Sequence, residues 1–226
     1  MRHVFVGIPL IGYWVTAGIA DFARALGEQN AATSDVQFTL KLLSGSSTIS
    51  YPVEFMRNRL VSMALADPSV TDLWFIDSDV MPSPNAFSLL RHIEFDIAAG
   101  VYQIPDAKRG TVWSAYHAHG PDAFTHIRDL SLTPFEAGGA GTGAMMISRR
   151  VLEDPRLRLG PDIDGIPALF RTVRKPTGEC ETTDDLDFCR RARALDYRIL
   201  VDPRVRFGHI KTRNYSALDA APGAHS

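Results

Sequence analysis

The sequence of 226 residues is poor in cysteine, contains no long apolar run and carries no strong excess of charge. Its two cysteines, Cys180 and Cys189, are too few for a disulfide framework and match no common zinc spacing. No stretch reaches the ~20 apolar residues of a membrane-spanning helix. A formal net charge of −2 argues against a broad nucleic-acid-binding surface. These absences predict a cytoplasmic protein that is not membrane-bound.

The first apolar run could be either a signal peptide or a buried strand. Arg2 and His3 followed by VFVGIPLIGYWVTAGIA have the order of a secretory signal peptide. Gly7, Pro9 and Gly12 break that run, however. We therefore interpret VFVGIP as a first buried strand with its turn.

Strand-like and helix-like segments alternate along the first half of the chain. Predicted strands lie at 3–8, 37–43, 73–76 and 96–102, and predicted helices at 16–26, 53–66 and 84–92. This β-α-β-α order implies an α/β fold with a mostly parallel central sheet and helices on both faces.

The alternation is less regular in the second half. Further strands are predicted at 113–117, 124–129, 144–148 and 198–201, with a helix at 184–195. No repeat or linker divides the chain, so we expect one domain over residues 1–215. Residues 1–102 would form its nucleotide-binding half and residues 103–215 its acceptor and metal half. The small, polar residues 216–226 are predicted to be a mobile tail.

Two aspartates directly follow the apolar segment 73–76 in LWFIDSDVMPSP. Asp77 and Asp79 are two positions apart, so in extended backbone both carboxylates point the same way. Ligands of open parallel sheets bind at the carboxyl ends of strands, and oxygen donors suit Mg²⁺ or Mn²⁺. Spacing alone leaves open a cation or phosphate site and a plain turn that caps the next helix. The pair Asp162 and Asp164 is interpreted as a loop.

The segment TTDDLDFCRRARAL predicts a helix with a crowded acidic start. Thr or Asp side chains cap the free N–H groups there, and acids favour the helix dipole. Asp184, Asp185 and Asp187 would also raise each other's proton affinity, which suits a general base. Asp187 is assigned to the helix surface or to acceptor contact. Of the residues that follow, Phe188 and Cys189 are predicted to face the core. The arginines are predicted to lie on a solvated face: Arg190, Arg191 and Arg193.

A histidine and two basic residues follow the last predicted strand in DPRVRFGHIKTR. The neutral ring of His209 would suit a third metal ligand beside two carboxylates, although a lone histidine is more often structural. Lys211 and Arg213 could neutralise phosphates. His117 and His119 form a rival pair, interpreted as a loop that lines an acceptor cleft or has no special role.

Glycines precede the strand predicted at 144–148 in EAGGAGTGAMMISRRVLE. The segment is not a P-loop, because no Gly-Lys-Ser/Thr follows, and it opens no helix as a dinucleotide fingerprint does. Glycine allows close approach of the backbone to a ligand. Gly139, Gly141, Thr142 and Gly143 are therefore predicted to line a donor or acceptor site, with a flexible turn as the alternative.

Taken together and in order, these segments resemble a GT-A-fold glycosyltransferase of the family-two type. The resemblance extends from VFVGIP to RFGHIK. MRNRLV resembles a helix start that approaches the nucleotide, and LWFIDSDVMPSP resembles a metal-binding DxD strand end. GTGAMMISRRVLE resembles the glycine-rich donor and acceptor loop. TDDLDFCRRARALDYRILVDPRVRFGH resembles the acidic catalytic motif, helix, last strand and metal-binding histidine.

The resemblance implies metal-dependent, inverting transfer of a sugar from a UDP- or GDP-sugar to an acceptor hydroxyl. Asp79 and His209 would bind Mn²⁺ or Mg²⁺, and Asp77 would contact the metal through water or the nucleotide ribose. Asp185 would be the general base, with Asp184 as the alternative because the family commonly has Glu-Asp there. The implied nucleotide and donor contacts are Pro9, Arg57, Asn58, Asp77, Ser78, Lys211 and Arg213.

Other functions remain open at this point. The acceptor could be a glycan, a small molecule or a hydroxymethylated DNA base, and the weakly acidic net charge counts against DNA. A nucleotidyltransferase would need a basic, glycine-rich loop after the first strand, and GIPLIGYWVTAG contains no basic residue. A non-catalytic nucleotide-sugar-binding protein is the third class.

Overall fold

The computed structural model describes residues 1–10, 17–32, 35–44, 52–83, 85–90, 96–106, 110–120, 123–160, 162 and 165–210. Several sequence predictions lie outside the described residues: those on Pro84, Asp164, Lys211, Arg213 and residues 216–226.

The described residues form strands and five α-helices. Strands and helices alternate in the first part of the chain, and strands predominate after it. The helices are α1 Ala17–Ala32, α2 Val53–Ala66, α3 Ala86–Leu90, α4 Arg149–Leu152 and α5 Asp184–Arg193. The strands are β1 Arg2–Leu10, β2 Val36–Ser44, β3 Asp72–Ile76, β4 Val80–Met81, β5 Ile97–Val101, β6 Gln103–Asp106, β7 Gly110–Trp113, β8 Ala115–His119, β9 Ala123–His126, β10 Phe135–Glu136, β11 Gly139–Ala140, β12 Ala144–Ser148, β13 Val173–Arg174, β14 Cys180–Thr182, β15 Ile199–Arg206 and β16 Gly208–His209.

Seven of these strands form the central sheet, in the order β10-β15-β5-β12-β3-β1-β2. Strands β1, β2, β3, β5 and β15 share one direction, while β10 and β12 run the opposite way. The predicted α/β fold with a mostly parallel sheet is therefore confirmed. The position of β12 was not predicted: it lies antiparallel between β3 and β5, so residues of the predicted second half complete the sheet of the first.

Both faces of the sheet are covered, which explains the unbroken apolar strands. All five residues of β3 are buried, as expected for a central strand with helices on both sides. Within β3 the adjacent residues Trp74 and Phe75 point to opposite faces of the sheet and belong to two separate hydrophobic cores. Full burial of such a side chain contributes about 1.5–3 kcal/mol. The two cores thus fix β3, and with it the residues that follow.

The second half departs from the prediction in three places. The predicted strand 113–117 is two strands that pair with different partners: β7 pairs with β6, whereas β8 pairs with β9 and β11. His117 and His119 lie on β8, paired with β9, and not in a loop. Strand β15 continues to Arg206 through an irregularity in its pairing with β5. No helix of the described chain combines the length and apolarity needed to cross a bilayer.

Candidate active site

Residues distant in sequence meet at one edge of the central sheet. Asp77 follows β3, and Gly143 immediately precedes β12, whose first residue pairs with Ile76 at the end of β3. Asp184 begins α5, and His209 lies in β16, which pairs with β4 directly after the aspartates. The antiparallel direction of β12 is what brings the glycine loop to the end of β3.

A buried arginine joins the two acidic motifs. Nη2 of Arg57, in α2, donates to both oxygens of Asp77 at 2.9 and 3.2 Å, and Nη1 donates to Asp184. Burial alone would lower the pKa of Arg57, but the carboxylates of Asp77 and Asp184 raise it above its ordinary value. Arg57 was predicted to contact the donor, and in the structure its guanidinium is bound to the acids on either side.

Asp185 differs from Asp184 in its surroundings. Its Oδ1 accepts hydrogen bonds from the Thr183 hydroxyl and from the backbone N–H of Leu186. Thr183 occupies the N-cap position but makes no capping hydrogen bond, because its hydroxyl binds Asp185 instead. Burial and the adjacent Asp184 carboxylate raise the pKa of Asp185 above its ordinary value. Asp184 is therefore bound by an arginine, whereas its neighbour Asp185 has a raised affinity for a proton.

Asp79 and His209 form a close pair. Nε2 of His209 lies 3.3 Å from Oδ2 of Asp79, and Nδ1 lies 2.5 Å from the carbonyl oxygen of Gln103. Because a carbonyl only accepts, Nδ1 carries the proton, so in the neutral ring Nε2 is an acceptor. Two acceptors then face each other, an arrangement that a cation between them, or a second proton on the ring, would stabilise.

Asp77, the other carboxylate predicted at the metal site, forms an ion pair with Arg57, and its contact with a metal through water or with the ribose stays a prediction. Among the described residues no group of three or more His, Cys, Asp or Glu is arranged to hold a metal ion. Mg²⁺ commonly uses one or two protein ligands and completes its shell with substrate phosphates and water. The Asp79–His209 pair fits a cation of that kind.

The glycine loop makes close contacts with protein groups. A side chain at Gly139 would lie 3.0 Å from Leu186 of α5. A side chain at Gly141 would collide with the Tyr102 hydroxyl, and one at Gly143 would lie 2.9 Å from Asp77 Oδ2. None of the three has a positive φ, so it is limited space, and not backbone conformation, that disfavours a side chain at these positions.

The remaining predicted contacts are placed as follows. Thr142 is buried, and within the described residues its hydroxyl has no hydrogen-bond partner. Asn58 bonds to the backbone of the strap formed by Leu169 and Phe170: Oδ1 accepts both N–H groups at 2.9 Å, and Nδ2 donates to Phe170 O at 3.0 Å. Pro9 and Ser78 are buried near the ends of β1 and β3. Their donor contacts stay predictions.

Two residues of α5 were assigned wrongly to the surface. Asp187 is fully buried and binds Arg190 at 2.7 Å, Arg191 at 2.8 Å and Arg171 at 3.4 Å. Arg191 also donates to the carbonyls of Leu157 and Leu169, so it fastens the strap to α5 instead of facing solvent. The i, i+3 and i, i+4 spacing of Asp187 with the two arginines was the available signal. Phe188 and Cys189 are in the core as predicted.

Tyr102 was missed. It follows β5 as Asp77 follows β3, and its side chain lies beside the predicted site residues. Burial and the carboxylates of Asp77 and Asp185 raise its pKa well above the ordinary value, so the phenol is neutral. Position after a strand was the signal in the sequence, and nothing else in its neighbourhood distinguished it.

Comparison with known proteins identifies the fold class. No protein-family model matches the chain, and no curated protein matches it in sequence. Among solved structures, A197 from STIV is 20% identical, with 94% of this chain and 87% of that chain covered and a TM-score of 0.56. The catalytic domain of Drosophila beta1,4galactosyltransferase 7, in complex with xylobiose, is 11% identical over 96% and 74%, with a TM-score of 0.54. GalNAc-T7 with UDP, GalNAc and Mn²⁺ is 11% identical over 94% and 44%, with a TM-score of 0.52.

At these identities the similarity is one of fold. The chain has a GT-A fold, as the sequence resemblance predicted. The family-two relationship and the reading of Asp77 to Asp79 as a DxD motif stay predictions.

Proposed function

We propose that the chain is a metal-dependent, inverting glycosyltransferase that moves a sugar from a UDP- or GDP-sugar to an acceptor hydroxyl. The observation that carries the proposal is that Asp79 pairs with His209, while Arg57 joins Asp184, the neighbour of Asp185, to Asp77 at the end of β3. GalNAc-T7, which shares this fold, was crystallised with UDP and Mn²⁺.

Asp185 is the proposed general base. Its raised pKa increases its affinity for a proton, which is what a base needs when it accepts one from a weakly acidic hydroxyl. The acceptor oxygen, as it loses its proton to Asp185, forms a bond to the anomeric carbon. The bond from that carbon to the diphosphate breaks, its electron pair leaves with the diphosphate, and the configuration inverts.

Asp79 and His209 are the residues that would hold Mn²⁺ or Mg²⁺. Such a cation would offset the charge that develops on the diphosphate leaving group. Arg57 keeps Asp77 and Asp184 together beside that place, so it fixes the start of α5 relative to the end of β3. This connection would help to position the proposed base Asp185 relative to the end of β3.

The test combines binding with turnover. Wild type is screened with UDP-, GDP-, CMP- and dTDP-sugars and Mn²⁺ for thermal shift and for slow release of the nucleotide, which is CMP for the CMP-sugars and the nucleoside diphosphate for the others. Asp185→Asn should keep the donor-induced thermal shift and lose transfer, since the amide cannot accept the proton. Asp162→Asn, an exposed change of the same type in an ion pair with Arg158, is the matched control and should keep both the donor-induced thermal shift and transfer.

Three results would count against the proposal. A wild type that responds to none of these donors is not a nucleotide-sugar enzyme. A wild type that binds a donor without any turnover is a binding protein. Unchanged turnover in Asp185→Asn would remove Asp185 as the base, and Asp184→Asn would then be the next variant to measure.

A further inference from the structure

Tyr102 is held rigidly by its backbone. Its N–H donates to Oγ of Ser114 at 3.0 Å, and its carbonyl accepts the N–H of Ser114 at 2.9 Å. Ser114 is itself completely buried, and the Tyr102 residue as a whole is 5% exposed. The ring packs edge-on against the ring of His209, with centroids 5.1 Å apart. The orientation of the Tyr102 side chain is therefore constrained by its backbone hydrogen bonds and by the contact of its ring with His209.

The hydroxyl of Tyr102 lies where the glycine loop and Asp77 meet. The place that a side chain at Gly143 would take is 3.0 Å from the Tyr102 hydroxyl and 2.9 Å from Asp77 Oδ2. The phenol oxygen also occupies the space beside Gly141. The hydroxyl and the carboxylate therefore lie close to each other beside Gly143, and the Tyr102 ring contacts His209.

No hydrogen bond among the described residues uses this hydroxyl, and the two bonds of Tyr102 described above are both made by its backbone. Although the Tyr102 residue as a whole is 5% exposed, its hydroxyl is not one of the fully buried atoms that lack a partner, so it is accessible to a ligand at this edge of the sheet. A neutral phenol beside a carboxylate offers one donor and one acceptor. A sugar hydroxyl accepts and donates at once and satisfies both groups, whereas a phosphate oxygen only accepts and is repelled by Asp77.

We propose that the Tyr102 hydroxyl binds a hydroxyl group of the sugar that is being transferred. This inference rests on the proposed function, because it takes the ligand at this edge to be a sugar nucleotide. The transferred sugar is the favoured source of the hydroxyl, since it is attached to the diphosphate and so lies next to the proposed cation ligands. Tyr102 would thereby select donors by their sugar.

The test compares binding of the same nucleotide with and without its sugar. Calorimetry with Mn²⁺ measures UDP against UDP-glucose and UDP-galactose, and GDP against GDP-mannose, on wild type and Tyr102→Phe. We expect Tyr102→Phe to keep the affinity for UDP or GDP within about twofold and to weaken the preferred sugar nucleotide about tenfold, the usual effect of one lost hydrogen bond. The matched control is Tyr197→Phe, which removes another buried phenol that donates to Asp154 at 2.7 Å.

The outcomes separate the two proposals. If wild type binds sugar nucleotides and Tyr102→Phe binds them equally well, the Tyr102 assignment is overturned and the proposed function stands. Equal losses for the nucleotide and its sugar form, with a lower melting temperature, would make Tyr102 a structural residue and also overturn it. A wild type that binds no sugar nucleotide overturns both. Tyr197→Phe should lower the melting temperature without changing the ratio of the two affinities.

Discussion

Replacing Arg57 by methionine should destabilise the protein strongly. The change removes the guanidinium that binds Asp77 and Asp184 and leaves an apolar side chain in its place. The side chains of Arg57 and Asp184 are each 6% exposed, and that of Asp77 is 20% exposed. Removing one partner of a buried ion pair costs about 3–5 kcal/mol, because the other charge is left uncompensated.

We expect the Arg57→Met variant to fall near the lower end of that range, since Asp77 keeps partial access to water. A loss of about 3 kcal/mol corresponds to roughly 10 °C in melting temperature for a chain of this size. The assay is urea unfolding followed by fluorescence, with thermal melts in parallel. Arg24→Met is the control: the Arg24–Glu28 pair is 66% and 65% exposed, and its loss should leave the unfolding midpoint unchanged.

A double-mutant cycle decides whether the effect comes from the ion pair. Arg57→Met combined with Asp184→Asn should cost less than the sum of the single variants, by about 1–3 kcal/mol, because no charged Asp184 remains buried. Strictly additive costs would show that Arg57 contributes through packing alone. A variant with wild-type stability would refute the buried Arg57 connection altogether.

Three further predictions follow from the same geometry. His209→Ala should remove most of the thermal shift that Mn²⁺ and donor produce together while largely preserving the metal-free melting temperature; an undiminished shift would exclude His209 as a ligand. Because Asp185 must be unprotonated to act as a base, turnover should fall in acid with a midpoint above 3.8, the ordinary Asp value, and a midpoint at or below it would contradict the raised pKa. Burial alone would raise the pKa of Asp187, but hydrogen bonds from Arg190 and Arg191 lower it. Asp187→Asn should therefore be less stable than wild type at neutral pH, and the two unfolding midpoints should converge as the pH falls below 3.8, through the depressed pKa of the folded protein.

Local pattern was sufficient for most of the elements in the first half. Helix α2 begins and ends at the predicted residues 53 and 66, and β3 differs from its prediction by one residue. Both segments are defined by their own apolar spacing and by a clear change of composition at their ends. The same reasoning placed the aspartates at the end of a strand, which is where the structure has them.

Long-range pairing is what the sequence did not show. Strand β12 was predicted at the correct residues, but nothing in AMMIS specifies that it runs against β3 and β5. The bond of Arg57 to Asp184 joins residues 127 positions apart, and no local pattern reveals such a partner. Asp187 was misplaced because an acid in a helix is usually solvated, and three arginines from two segments were needed to bury it.

The late insertion of β12 has a consequence for synthesis on the ribosome. When β5 emerges from the ribosome, the residues that lie between β3 and β5 in the finished sheet have not yet been made. Direct pairing of β3 with β5 at that stage would give a non-native strand order. An unpaired edge of β3 would instead be exposed to aggregation. Strand β12 follows β5 by about forty residues, so native pairing on this side of β3 becomes possible only after those residues have been translated.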